Sequence, residues 1–362
     1  MKTTIISHFY NEEYLLPYWL KHHVRLFDDG ILIDYESTDK SLEIIREIAP
    51  HWKVIPSRNK YYSRPALDPE VVDIEKTIDG WKTCLNTTEF IFHPDLKKYL
   101  ASLPLSVNGV WLPPISLIDE DPLNPLNPDI PLVLQKHFGV ISKNEVRPTN
   151  RLIHRKNHGE WKGEGRHDSY MENTFIAGDI FHCWLGYCPW REEFIKRKLQ
   201  IQDKMSAEYK ETKAKEEVGY HLTTREKLND EFQYKQHKYC KNLFGDPVYH
   251  YLWKEIELSY NKKNYEFNPF LASDEIEYNL QRLSSQIKST NFHSEHMIVI
   301  RELNEQRCLF NTNFTQGSNW STANLNMCNA IYKYMKMHLP RFKFMVWDKV
   351  ENRTIIDSDS DI

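Results

Sequence analysis

Glycine is scarce in this sequence, with 12 in 362 residues, and none forms the glycine-rich turn after a first strand that cradles phosphate in nucleotide-binding folds. A nucleotidyltransferase is therefore disfavoured. The six cysteines, Cys84, Cys183, Cys188, Cys240, Cys308 and Cys328, include no CxxC pair and no zinc-type spacing. They read as reduced thiols. No window approaches the roughly 20 apolar residues that span a bilayer, and the N-terminus reaches Glu12 and Glu13 before any run long enough for an export signal. With 47 Lys and Arg against 51 Asp and Glu the net charge is −4, which gives no basic field for nucleic acid. The expectation is a cytoplasmic protein with no transmembrane segment and no nucleic-acid partner.

What is present suits a folded enzyme. Hydrophobic residues make up 40% and charged residues 27%, as in globular proteins with a packed core. The length fits one large domain and a smaller addition, at roughly 100–200 residues per domain. Thr3 to Phe9 is β-rich, and Asn11 to Phe27 carries Leu15, Leu16, Trp19 and Leu20 at helical spacing. Ile31 to Ile33 reads as a second strand, Ser37-Thr38-Asp39 as capping residues before a helix over Ser41 to Ile48, and Trp52 to Ile55 as a third strand. This β-α-β-α-β order predicts a parallel sheet with helices on its faces. A helix is expected over Pro69 to Trp81, and a buried strand over Glu89 to Phe92 that ends at His93-Pro94-Asp95. Ligands bind outside the carboxyl ends of such strands, so Asp39 and Asp95 draw notice. Each has a plainer reading as a helix cap.

HFYNEEYLLPYWLKHH, LIDYESTDKSLEI and TTEFIFHPDLKKYL, in that order, resemble three successive motifs of family 2-type GT-A glycosyltransferases. The resemblance implies a GT-A-like, doubly wound, mostly parallel α/β sheet. It implies donor contacts from Asn11 and Glu12 after the first strand, from Asp39 to the base, and from Asp95 to ribose or metal. The family's Asp-x-Asp reads Asp95-Leu96-Lys97 here, so one carboxylate of the metal site is replaced by a lysine. A hard Mn2+ or Mg2+ ion wants several oxygen ligands. Both a metal-dependent site and a metal-independent one, with Lys97 neutralising diphosphate charge, stay open. Arg58, with Lys60 and Arg64 after the third strand, is a further candidate for phosphate, although a solvated loop is the plainer reading.

KGEGRHDSYMENTFIAGDIFHCWLGYCPWREEFIKRKLQ resembles the family's closing motifs. By that resemblance Asp168 is the general base that deprotonates the acceptor hydroxyl, with Glu164 a nearby substitute, and His182 is a metal or diphosphate ligand beside Asp95. Inverting transfer needs one carboxylate at the acceptor and no protein nucleophile. Asp168 as a turn residue and His182 as a core histidine are the plainer alternatives. Asp119-Glu120-Asp121, in a proline-rich stretch from Pro113 to Pro131, reads as a surface run within a flap.

The expected organisation is a GT-A-like domain over 1–205, a helical segment over 206–290 and a small α+β unit over 291–362. In the last, strands are expected at Met297 to Arg301, Lys343 to Asp348 and Thr354 to Ile356, and a helix over Ala323 to His338. The function these features imply is inverting transfer of a sugar from a nucleotide-diphosphate sugar to a glycan, protein or small-molecule acceptor. The alternative is a nucleotide-sugar- or glycan-binding protein of the same fold that has lost catalysis.

Overall fold

The computed structural model describes residues 1–103, 105, 107–141, 150–162, 164–177, 180–215 and 222–262, and the backbone of strands at 293–302, 308–315, 342–348 and 353–357. Strand β1 (Thr3–Phe9) is buried along nearly its whole length, as a strand covered on both faces must be. Helix α1 (Leu16–His23), β2 (Asp29–Asp34), α2 (Ser41–Ile48), β3 (Lys53–Pro56) and α3 (Arg64–Glu75) continue the alternation read from the sequence. β4 (Trp81–Cys84) pairs with β1 on the side away from β2, and all four strands are parallel. Side chains alternate between the faces of a strand. Ile5 and Leu32 accordingly pack with Trp19, Leu20 and Ile45 of α1 and α2. Ile6 and Ile33 pack on the other face with Leu67 and Val71 of α3.

The chain then runs through β5 (Glu89–Phe92), α4 (Leu96–Ser102), β6 (Gly109–Leu112), β7 (Pro114–Ile118) and α5 (Leu132–Gln135). It continues through β8 (Phe138–Ile141), β9 (Arg151–His154), β10 (Thr174–Ile176) and β11 (Phe181–Tyr187). Helices α6 (Glu192–Gln200), α7 (Ala207–Lys215) and α8 (Arg225–Tyr239), strand β12 (Lys241–Asn242) and α9 (Pro247–Asn261) follow. A seven-stranded sheet has the order β10-β6-β9-β4-β1-β2-β3, in which β9 alone is antiparallel to its neighbours. The doubly wound, mostly parallel sheet expected from the sequence is thus present. A second sheet, β12-β8-β7-β11-β5, is largely antiparallel.

Two expectations change here. The helix expected over Pro69 to Trp81 ends at Glu75, and Trp81 opens β4. Glu89 to Phe92 is a strand, but it lies in the second sheet, antiparallel to β11. It runs alongside α1: the Trp19 indole donates to Glu89 O at 3.0 Å, and the His22 ring meets Ile91 O at 2.7 Å. Since α1 runs back from the carboxyl end of β1, β5 points the same way. Its end, with Asp95 beyond it, lies toward the amino end of β1.

Asp119 also departs from expectation, being buried rather than on the surface. Its carboxylate takes the Lys136 ammonium at 2.5 Å and the Trp190 backbone N–H at 2.7 Å, so both charge and hydrogen bonds are compensated. Leu228 and Phe232 of α8 and Leu252 and Ile256 of α9 belong to the same apolar core as Ile5 and Trp19. The core therefore continues across the boundary expected at residue 205. Among the C-terminal residues, β13 (His293–Glu302), β14 (Cys308–Thr315), β15 (Phe342–Asp348) and β16 (Arg353–Asp357) form an antiparallel sheet in the order β14-β13-β15-β16. Three of these strands were expected and β14 was not. Residues 263–290 of the expected helical segment and the helix expected over Ala323 to His338 lie outside the described residues. Among the described residues, no helix is long and apolar enough to cross a membrane.

Gly30 of β2 faces Trp52. A Cβ at this position would sit 2.2 Å from the indole ring, and overpacking of this kind costs about 1–3 kcal/mol. Gly30→Ala is expected to lose that much in urea unfolding, with partial recovery when Trp52→Leu is added.

Candidate functional site at the carboxyl ends of the parallel strands

Strand order reverses between β1 and β4, since β2 and β3 lie to one side of β1 and β4 to the other. Such a switch point leaves a crevice at the carboxyl ends of the strands. The loop after β1 carries Asn11 in the left-handed region, with φ 51°, a conformation asparagine tolerates better than most residues. This loop is stitched to the loop after β2. Asn11 Oδ1 accepts from Thr38 N at 2.7 Å, Glu12 N donates to Ser41 Oγ at 2.9 Å, and Glu13 N donates to Asp39 Oδ2 at 2.9 Å. Asp39 Oδ1 accepts from Ser41 N at 2.9 Å, so Asp39 does cap-like work and also binds the neighbouring loop. The two loops form one hydrogen-bonded rim.

Three ion pairs line this end of the sheet. Glu12 is buried and paired with Arg197 of α6, whose Nη2 also donates to Thr87 Oγ1 at 3.1 Å just after β4. Burial pushes the Glu12 carboxyl upward, against the pull of Arg197. On the same helix, Gln200 donates to Asn11 O at 2.7 Å. Glu89 receives Arg151 through both carboxylate oxygens, with Nε 2.9 Å from each and Nη2 2.7 Å from Oε1. Arg151 reaches the site because β9 runs antiparallel, which brings its first residue to the carboxyl ends of its neighbours. Burial alone would raise the Glu89 carboxyl, but Arg151 and the nearby His182 outweigh it and hold it at about 2. The third pair is Asp68 with Arg166, and Asp68 also accepts from Gly165 N at 2.8 Å. Arg151 Nη1 donates to Gly165 O at 2.8 Å, which joins the second and third pairs. Beside them, burial and Arg151 pull the His167 ring down to about 3.

The structure brings Asn11, Glu12 and Asp39 together on the rim. His182 lies buried in β11, near Glu89. Glu164 and Asp168 sit exposed on the loop that carries Arg166, with Asp168 Oδ1 held by Ser169 N at 2.8 Å and 3.6 Å from the Lys162 ammonium. Arg58 lies just beyond β3, where it pairs with Asp73 at 2.7 Å. Asp95 and Lys97 are elsewhere. Asp95 caps α4 by accepting from Lys98 N at 3.0 Å, and Lys97 pairs at 2.5 Å with Asp28. Asp28 in turn binds Thr3 N, at the amino end of β1. Because β5 runs back along α1, it carries Asp95 away from the crevice and from Asn11, Glu12 and Asp39. What stands after β4 is Asn86-Thr87-Thr88, with no carboxylate. Among the described residues no three His, Cys, Asp or Glu side chains gather as a metal site.

Sequence reading missed Asp68, Thr87, Arg151, Arg166 and the specific role of Arg197. Arg197 lay in a stretch already marked as basic and helical. For Asp68 with Arg166, 98 residues apart, no local pattern signals the pairing.

No family model matches the chain, and no curated protein matches its sequence. Among solved structures the chain is similar to residues 1–349 of S. aureus TarS in complex with UDP-GlcNAc. The identity is 13% over 80% of this chain and 81% of that one, with a TM-score of 0.33. It is also similar to glucosyl-3-phosphoglycerate synthase from Mycobacterium tuberculosis in complex with Mn2+ and uridine-diphosphate-glucose. There the identity is 15% over 32% of this chain and 43% of that one, with a TM-score of 0.23. Likeness at this level carries no activity across, and the chemistry must come from the site itself.

Glu89→Gln strands a buried guanidinium, and breaking such a pair costs about 3–5 kcal/mol. A carboxyl held low in the folded state contributes fully above its unfolded value, ordinarily about 4.5, and loses that contribution as pH falls toward 2. The stability gap between wild type and Glu89→Gln, measured by urea unfolding, is expected to be full at pH 7 and to narrow below pH 4.5. Glu89→Gln with Arg151→Met should recover more than half of it.

Proposed function

We propose that the crevice between the ends of β1, β2 and β4 binds a nucleotide-diphosphate sugar and that the protein transfers the sugar to an acceptor hydroxyl. The observation that carries this reading is the switch point at β1 and β4, bordered by the rim of Asn11, Glu12 and Asp39 on one side and Thr87 with Arg197 on the other. Strand ends at a switch point offer backbone and side-chain partners for base, ribose and phosphate together. Residues 1–205 hold this machinery in our reading.

In the proposed inverting mechanism, Asp168 accepts the proton of the acceptor hydroxyl. The acceptor oxygen attacks the anomeric carbon, and the bond from that carbon to the diphosphate oxygen breaks, its electron pair leaving on the diphosphate. Asp168 suits a base because it is exposed and adjoins the loop residues Arg166 and His167, which do line the site. Glu164 offers a second carboxylate on that loop. A reading as a binding protein without catalysis is favoured by one observation, the neutral Asn86-Thr87-Thr88 after β4 where a transferase of this resemblance would carry carboxylates.

The two readings separate on product release. Wild-type protein incubated with UDP-, GDP- and ADP-sugars and mixed hydroxyl acceptors is expected to release nucleoside diphosphate. Asp168→Asn should slow release by about 100-fold or more, with the donor Kd within twofold of wild type. Donor binding with no release from any sugar supports the binding protein, and equal rates in wild type and variant remove Asp168 from the role.

A further inference from the structure

We propose that Lys198, seated beside Arg197, meets the negative charge of the bound diphosphate, and that the site binds its nucleotide without a divalent metal ion. This rests on the nucleotide-diphosphate reading above. A hard divalent ion needs several oxygen ligands. At this end of the sheet Glu12 is paired with Arg197, Glu89 with Arg151 and Asp68 with Arg166, while Asp34 and Asp39 accept from the backbone amides of their own rim. Drawing any of the paired carboxylates onto a metal leaves a buried guanidinium without its counter-charge. The loop after β4 offers only the amide and hydroxyls of Asn86, Thr87 and Thr88.

Lys198 is a cation in this neighbourhood held by aromatic rings rather than by a hydrogen-bonded carboxylate. Among the described residues it makes no ion pair, and its ammonium lies over the rings of Tyr187, at 4.6 Å, and Phe194, at 5.7 Å. The charged groups around it are Arg197 on its own helix and Glu231 and Lys235 of α8. Glu231 is occupied by the Tyr187 hydroxyl, and Lys235 lies 6.0 Å from the Tyr187 ring. Burial and Arg197 pull the Lys198 amine down to about 8, against an upward pull from Glu231, and its charged form would gain from an arriving anion. The location suits that role. Leu185 N donates to Thr88 O at 2.8 Å, which sets the end of β11, and Tyr187 with it, against the loop after β4. Arg197 touches Thr87 in the same loop. Arg197 thus meets the loop at the switch point directly, and Lys198, the next residue of α6, lies over the ring at the end of β11, so fixed protein charge stands ready to neutralise a diphosphate.

Calorimetric titration of the full chain with UDP, GDP, ADP and inorganic pyrophosphate, in EDTA and in MnCl2, tests this. The expected result is a nucleoside diphosphate Kd that agrees within threefold between the two buffers. Lys198→Met should weaken it at least tenfold, Lys198→Arg should retain most of it, and the affinity for the uncharged nucleoside should not change. A tenfold or greater gain with Mn2+, or wild-type affinity in a folded Lys198→Met, overturns the proposal. Lys198→Gln with an unchanged melting curve replaces Lys198→Met if that variant does not fold. If no nucleoside diphosphate binds wild type in either buffer, the nucleotide reading itself falls. Mn2+-dependent binding leaves that reading intact and removes only the metal-free site.

Discussion

The contact on which this end of the molecule depends is the buried fork between Arg151 and Glu89. Two planar groups meet through three hydrogen bonds, a geometry that fixes direction as well as distance. Glu89 opens β5 of the second sheet and Arg151 opens β9 of the first, so the pair clasps the two sheets at one edge. A fourth hydrogen bond, from Nη1, passes the constraint to Gly165, and Gly165 with Arg166 passes it to Asp68. Loops that would otherwise be free at the carboxyl ends of the strands are held by charge that water does not reach. Low local dielectric strengthens each of these bonds and makes each partner costly to lose.

The first sixty residues were legible because their apolar pattern carries the full signal. Ile5, Ile6, Leu32 and Ile33 sit in runs buried on both faces, and α2 has the boundaries its spacing predicts. β4 was not legible. It is four residues long, two of them Lys82 and Thr83, and both are buried through hydrogen bonds that only the fold supplies: Lys82 Nζ to Lys156 O at 2.7 Å and Thr83 Oγ1 to Leu152 O at 3.0 Å. Polar residues satisfied by distant carbonyls look like surface in a sequence. Asp95 stands one strand beyond β4, after a strand of the second sheet that runs the other way.

The candidate site shows the same division. Asn11, Glu12 and Asp39 follow strands that could be read, and the structure sets them on one rim. The cations opposite them come from β9, a loop and α6, brought in by an antiparallel strand and by packing across more than a hundred residues of chain. Strand direction gives Lys97 to Asp28, and the cation proposed for the diphosphate is Lys198 instead. The buried Asp119 makes a related point, since an acidic triplet reads as solvated until Lys136 and the Trp190 amide are known to face it.

Gln200 and Arg197 reach from α6 to the loop after β1, holding Asn11 by its carbonyl and Glu12 by its carboxylate. During synthesis the first strand leaves the ribosome long before that helix exists. At roughly 5–20 residues per second, the loop after β1 waits about ten seconds or more for its partners. Over that interval Glu12 has no guanidinium to face, and its burial must follow α6 rather than precede it. The crevice, bordered by residues from both ends of that interval, is thus complete only once α6 has formed.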